Sequence, residues 1–384
     1  MTKRHVLITG GAGFIGTRLS KKLVDKGCSV RVLDNFSSQI HNDKYLPADL
    51  FSNVEIVEGD IKDAKTLSAA LLDIDCVVHL AAETGTGQSM YEVGRYFDTN
   101  VQGTAHLVDI LVNNRSKFKV TNLVLASSRA IYGEGAYFCA THGQVFPQER
   151  EHSRMEDGFF EPLCPQCRAA VETIPTKEQS PLNPLSMYAL TKQTQEAMLL
   201  IFARSRGING FALRYQNVYG PGQSLKNPYT GILAVFANLA RQNQVIEVYE
   251  DGQESRDFIY VDDVVDATVK SVLYEGKFIG ALNVGSGTAT TVLQVAEEVK
   301  RYFDSSSEIR ISGAFRFGDI RHNVAEITNM KSVLDISPSI PFRVGLHHFL
   351  DWAQSQEVRD QEAYSRSVQE LSSRGLMGKF NGPK

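Results

Sequence analysis

The segment Thr9-Gly10-Gly11-Ala12-Gly13-Phe14-Ile15-Gly16 constrains this chain more than any other. It follows the apolar β-branched run Val6-Leu7-Ile8 and opens the helical pattern Phe14 to Lys26. Glycines in such a strand–turn–helix permit a tight turn and close helix–strand packing. They also let the backbone approach a pyrophosphate, and the helix N-terminus offers it amide donors. Gly10, Gly13, Phe14, Ile15 and Gly16 are therefore expected to border a dinucleotide. Asp34 ends the next strand, Ser29 to Leu33, where a carboxylate accepts from an adenosine ribose and repels a 2′-phosphate. This favours NAD over NADP. Asn35, and Asp60-Ile61 after a third strand (Val54 to Val57), are expected around the adenosine. A solvated turn residue at Asp34, and a glycine turn without ligand, are the plainer alternatives.

Short apolar strands alternate with helical stretches as far as residue 130. Cys76 to His79 and Asn122 to Leu125 read as further strands, and Ser89 to Asn113 as a helix. Strands of this kind imply a parallel sheet covered on both faces. Residues 137–182 break the pattern: five of the chain's twelve prolines and three of its five cysteines fall there. A structureless loop of that length is improbable unless it is functional or internally braced. Asn183 to Arg206 returns to a helix and Gly210 to Arg214 to a strand. Helices are expected at Gly231 to Arg241 and Leu293 to Tyr302, then a helix and fraying beyond Ser355.

The 384 residues include 40 basic and 44 acidic side chains, a net charge of −4. That balance argues against a nucleic-acid binder. No apolar run approaches the ~18 residues of a membrane span. No secretion signal is visible, so a cytoplasmic chain with reduced cysteines is expected.

Tyr188 and Lys192 lie four apart, on one helical face. A nearby ammonium and a positively charged nicotinamide would both favour the phenolate, which could take a proton from a sugar hydroxyl. Ser127-Ser128 places hydroxyls at the carboxyl edge of the sheet, where open α/β sheets bind ligands.

These motifs together resemble the extended short-chain dehydrogenase/reductases, in the nucleotide-sugar epimerase/dehydratase branch. The likeness covers about residues 5 to 350. Besides the glycine segment, it rests on His79-Leu80-Ala81-Ala82, Asn100-Val101-x-Gly103-Thr104, Ser127-Ser128 with Tyr132-Gly133, and Tyr188-x-x-x-Lys192. Further on it rests on Arg214-Tyr215-x-Asn217 through Gly222, Arg256-Asp257-Phe258 through Val264, and Gly318-Asp319-Ile320-Arg321-His322. The resemblance implies Ser128 as catalytic hydroxyl, Tyr188 as base, and Lys192 as nicotinamide-ribose ligand. It also implies Leu80, Ala81, Ala82 and Asn100 near the cofactor. Thr84, Ser128, Tyr188, Asn217, Arg256 and Arg316 would hold a nucleotide sugar.

The implied fold is α/β: a Rossmann-type doubly wound parallel sheet with a smaller α/β substrate-binding domain and a Cys-rich insert. The expected division is 1–214 for NAD (insert 137–182), 215–355 for substrate and 356–384 as C-terminal helix and tail. A homodimer through helices 89–113 and 183–206 is a further implication.

The family's dehydratases carry Asp-Glu directly after the catalytic hydroxyl. Arg129-Ala130 stands there in this chain, which favours 4-epimerisation by transient oxidation at carbon 4. Cys76 and His79, a residue pair of the type the family's 3,5-epimerase/reductases use, read as buried structure. The segment 222–232 and the cysteine-bearing insert resemble a bacterial branch that interconverts dTDP-L-rhamnose and dTDP-6-deoxy-L-talose. Another NAD-dependent nucleotide-sugar epimerase, dehydratase or decarboxylase, or a non-enzymatic NAD sensor, are the alternatives.

Cys139-x-x-His142 and Cys164-x-x-Cys167 have the spacing of a structural zinc site. Reduced unliganded thiols, or a Cys164–Cys167 redox pair, are the alternatives. His152 is a spare ligand.

Overall fold

The computed structural model describes residues 4–41, 53–225, 231–357, 362–380 and 382. Seven parallel strands form the central sheet. Their spatial order is Ile279–Val284, Asn209–Tyr215, Asn122–Ser128, Cys76–His79, His5–Thr9, Ser29–Asp34, Val54–Glu58. Successive strands move outward from the first to Val54–Glu58, and then the chain returns to the other side of the first at Cys76–His79. A ligand crevice is expected at that switch, between the carboxyl ends of His5–Thr9 and Cys76–His79.

Both faces of the sheet are buried. Val6, Ile8, Val30, Val32, Val78 and Val124 point into one core, which runs on into the residues beyond Tyr215. Leu7, Leu33, Val77, Leu123 and Leu125 point to the other, against helices Ala64–Ala70, Gly103–Asn113 and Met187–Arg206. Side chains alternate across a strand, so strands apolar at every position require cover on both sides.

The expected strands and the helices Phe14–Asp25, Ile232–Arg241 and Val292–Tyr302 form within a residue or two of their expected ends, and Asn122–Ser128 runs three residues further. The helix expected from Ser89 to Asn113 is instead broken. Short helices Thr86–Ser89 and Val93–Tyr96 precede a π-helical stretch, Phe97–Gln102, which runs into Gly103–Asn113. The helix expected from Asn183 begins at Met187. Pro184 disfavours helical backbone in the residue before it, and Ser186 caps the first turn by accepting from the Ala189 amide at 3.1 Å.

The division expected at 214/215 is crossed. Ile279–Val284 lies beyond it and pairs with Asn209–Tyr215 as the edge strand of the NAD-side sheet. Helix Val261–Val272 packs on Phe14–Asp25, with Arg18 on Asp262 at 2.9 Å. The tail does not simply fray. After helix Glu362–Ser373, Met377–Lys379 pairs antiparallel with Ala314–Arg316. The insert holds a three-stranded antiparallel sheet, in the order Gly143–Val145, Tyr137–Cys139, Glu172–Thr173. Among the described residues no helix is long and apolar enough to cross a membrane.

Candidate active site

A cleft of about 1020 Å³ opens at the switch point. Pockets for single small ligands occupy about 300–1000 Å³, so this cleft has room for a dinucleotide and a second molecule. At its floor the glycine turn is sterically obligatory. Gly10 has φ +69, and a Cβ there would stand 2.7 Å from the Ala81 amide nitrogen. A Cβ on Gly16 would stand 2.5 Å from Gly11 Cα. Gly13 caps helix Phe14–Asp25 without a side-chain acceptor, which leaves the first-turn amides facing the cleft for phosphate oxygens.

Asp34 is buried at the end of its strand. Its carboxylate accepts from the amides of Ala12 and Phe36, both at 2.9 Å, and His41 Nε2 lies 3.6 Å away. Two amide bonds fix the carboxylate and leave lone pairs for a ribose. Asn35 donates to Asp60 at 3.0 Å, which joins the two residues expected around the adenosine into one wall. Ile61, Leu80, Ala81 and Ala82 complete the lining. These residues fit NAD: the amide cradle suits a pyrophosphate and the clamped Asp34 suits an unphosphorylated ribose.

At the opposite end, Ser128 and Tyr188 both line the cleft, and the Ser128 hydroxyl acts on the Tyr188 phenol to lower its pKa. Ser127 is not available. Its hydroxyl donates to Glu196 at 2.6 Å, and Glu196 is paired with the buried Arg214. Of the two serines, only Ser128 lines the cleft with a hydroxyl not committed to that pair. Lys192 is buried and donates to the Ala126 carbonyl at 2.9 Å, and burial pulls its pKa down to about 7.

The electrostatics differ from expectation in one respect. Lys192 Nζ stands 6.0 Å from the Tyr188 ring centre. Burial raises the Tyr188 pKa, opposed by the Ser128 hydroxyl and by the charge of Arg129. Arg129 also lines the cleft, and burial, with neighbouring Arg256, brings its pKa down to about 10. Sequence reasoning treated Arg129 only as the residue standing where acid–base carboxyls would be. Its position directly after Ser128 was the available signal. Trp352, Ser355 and Gln356 at the cleft wall were missed too, and no local pattern marks them.

Thr84, Ser128, Tyr188 and Asn217 line the cleft as expected. Asn217 Oδ1 is buried without a hydrogen-bond partner among the described residues, an acceptor that a bound donor would satisfy. Asn100 does not line the cleft. Its amide accepts from the Glu83 amide at 2.7 Å and donates to the Glu83 carbonyl and Thr191. It ties the loop after Cys76–His79 to helix Met187–Arg206, and so positions the site from behind. Arg256 and Arg316 also fall outside the lining. The Arg256 guanidinium donates to the carbonyls of Ser255, Ile320 and Arg321 and to Asp319. Arg316 lies over the Tyr249 ring at 5.1 Å. Residues 226–230 of the segment 222–232 lie outside the described residues.

Cys76 and His79 are buried in the sheet. His79 bonds Thr9 and Thr104 at 2.7 and 2.9 Å, and burial lowers its pKa to about 3, so it stays neutral. His152 stacks on Phe317 at 3.8 Å and stands apart from the cysteine cluster.

The model of the NAD dependent epimerase/dehydratase family matches residues 6–154 and 166–285. The chain belongs to that family. It is an NAD-dependent enzyme whose relatives include nucleotide-sugar epimerases and decarboxylases. It is 37% identical over 352 residues to the dTDP-L-rhamnose 4-epimerase of Burkholderia thailandensis, covering 91% of this chain and 94% of that protein. The structure is similar to a UDP-N-acetylglucosamine 4-epimerase from Methanobrevibacter ruminantium, with TM-score 0.75 and 29% identity over 93% of this chain and all of that one. It is also similar to the UDP-glucose 4-epimerase of Thermotoga maritima, with TM-score 0.73 and 27% identity over 91% of this chain and 98% of that one. The enzyme thus shares the doubly wound fold of these epimerases along nearly its whole length.

Proposed function

We propose that this enzyme epimerises carbon 4 of a dTDP-linked 6-deoxy sugar, interconverting dTDP-L-rhamnose and dTDP-6-deoxy-L-talose. The observation that carries the reaction type is the pair of hydroxyls, Ser128 and Tyr188, lining one cleft, with Arg129-Ala130 directly after the serine. Paired hydroxyls can hold one sugar oxygen and move its proton. Dehydration would need a further acid and base, and neither position after Ser128 supplies one.

When bound, NAD would supply the hydride acceptor for carbon 4 and then the hydride donor to the opposite face of the resulting ketone. Tyr188 takes the proton from the 4-hydroxyl and gives it back to the same oxygen when hydride returns, with Ser128 holding that oxygen. Arg129 favours the phenolate electrostatically. Lys192, braced on the Ala126 carbonyl, meets the nicotinamide ribose. Asn217 and Thr84 bind the nucleotide sugar. Arg256 and Arg316 act on it through the 316–322 loop. The dTDP-rhamnose assignment is supported by the 37% identical relative. A UDP-sugar is the second reading, favoured by the UDP-sugar enzymes of the same fold.

The zinc expected at Cys139, His142, Cys164 and Cys167 has no part in these steps, because a closed four-ligand site leaves no position for substrate. A homodimer through helices Gly103–Asn113 and Met187–Arg206 is supported by their exposed apolar residues: Val112 (46% exposed), Leu190 (39%) and Ile201 (60%).

Proton NMR in D₂O, with dTDP-L-rhamnose and no added cofactor, tests the reaction. The expected product is the 6-deoxy-talose epimer without deuterium. Deuterium in the product would mean proton exchange beside a carbonyl. No conversion even with added NAD would remove the rhamnose assignment. Tyr188→Phe should lower turnover by about 10²–10⁴-fold while NAD binding, followed by calorimetry, persists.

A further inference from the structure

Outside the cleft, Cys139, His142, Cys164 and Cys167 bring one ligating atom each to within 4.8 Å of one another. Cys139 Sγ is 3.7 Å from Cys167 Sγ and 3.7 Å from His142 Nδ1, and Cys164 Sγ is 3.5 Å from His142 Nδ1. A tetrahedral zinc with Zn–S of about 2.3 Å and Zn–N of about 2.0–2.1 Å requires S···S near 3.8 Å and S···N near 3.6 Å. The three separations of 3.5–3.7 Å meet that requirement, and the remaining pairs lie within 4.8 Å.

The backbone is shaped for the same ligation twice over. Each pair sits in a tight turn: Cys139 pairs with Gly143 across one hairpin, and the Leu163–Ala170 bridge flanks the other. In each, the residue after the second ligand has left-handed backbone, Gly143 at φ +68 and Arg168 at φ +61. Arginine rarely adopts that conformation. The apolar core of the insert is small, made of Tyr137, Cys139, Val145 and Cys164 with Val171 against them. A segment with so little to bury is commonly held by a metal or a cross-link.

The insert also reaches the substrate side. Its Arg150 is buried and meets Glu134, Glu250 and the Asp319 carbonyl, and its Glu161 pairs with Arg321 and His322. Asp319, Ile320 and Arg321 are the same residues that hold the Arg256 guanidinium.

We propose that Cys139, His142, Cys164 and Cys167 bind one structural zinc ion, which clips the insert and through it braces the 319–322 loop behind the substrate end of the cleft. The brace rests on the nucleotide-sugar reading; the metal site does not. Elemental analysis of full-length protein, purified without a metal-binding tag, should find about one zinc per chain. Cobalt substituted for it should show the thiolate charge-transfer and ligand-field bands of a tetrahedral sulfur-rich site. Zinc well below one equivalent, or cobalt without the thiolate bands, overturns the site. Cys167→Ser should lower zinc content, and should that variant fail to fold, the cobalt spectrum of the unchanged chain decides. For the brace, removing zinc under reducing conditions should raise KM for the sugar nucleotide several-fold and leave the NAD dissociation constant unchanged. An unchanged KM, or equal loss of NAD affinity, overturns it.

Discussion

At the residue scale, two cations behave unlike surface charges. Arg129 opposes the burial that raises the Tyr188 pKa. Removing that charge leaves burial less opposed, so the Tyr188 phenol titrates higher. Arg129→Gln should therefore move the acid limb of the pH–kcat profile upward and lower turnover at pH 7 roughly tenfold. An acid limb that stays or moves down would exclude this role. Lys192 is held at about 7 against an ordinary 10.5 because burial penalises its ammonium. Below pH 7 both folded and unfolded chains carry the proton, so the whole cost of burying it is felt. Between 7 and 10.5 only the unfolded chain holds the proton, so that cost fades as pH rises. Lys192→Met should thus melt higher than the parent at pH 7, by up to about 5 kcal/mol in stability. The gap should close toward pH 10.5. Thermal unfolding at several pH values reads this. The identities of Ser128, Tyr188 and Lys192 were legible in sequence as a motif. That Ser127 is committed to Glu196, and that Arg129 faces Tyr188, required residues distant in the chain to be brought together.

At the scale of elements, the glycine turn was legible because its steric demands are local. Gly16 is the clearest case: a Cβ there meets the Gly11 backbone, which cannot yield as a flexible side chain can. Gly16→Ala should destabilise the protein by about 2 kcal/mol and weaken NAD binding, as calorimetry and denaturant titration would report. A variant with parental NAD affinity would show that the turn tolerates widening. The π-helical stretch Phe97–Gln102 was not legible. Its pattern reads as ordinary helix, and its departure coincides with Asn100 being bonded to Glu83 and Thr191. Such stretches often accompany functional sites.

For the whole molecule, the chain's far end returns to its middle. Met377–Lys379 pairs with Ala314–Arg316, Gly378 lies on the buried Phe315 ring, and Phe380 packs beside Gly158 of the insert. Truncation after Ser373 would uncover Phe315 and free the strand that carries Arg316. The expected result is a several-fold rise in KM for the sugar nucleotide with NAD affinity kept; an unchanged KM would leave the strand without functional weight. The sheet, the glycine turn and the Ser128, Tyr188 and Lys192 motif that lines the cleft are readable from sequence alone. Each depends on periodicity, sterics or spacing within a few residues, which physical chemistry reads locally. Only the tertiary structure decided that Ile279–Val284 joins the NAD-side sheet and that Asn100 and Arg256 stand behind the cleft. It alone also decided that the tail is a strand. Those outcomes depend on which backbone and side-chain partners distant segments find when the core closes, and no local pattern encodes that pairing.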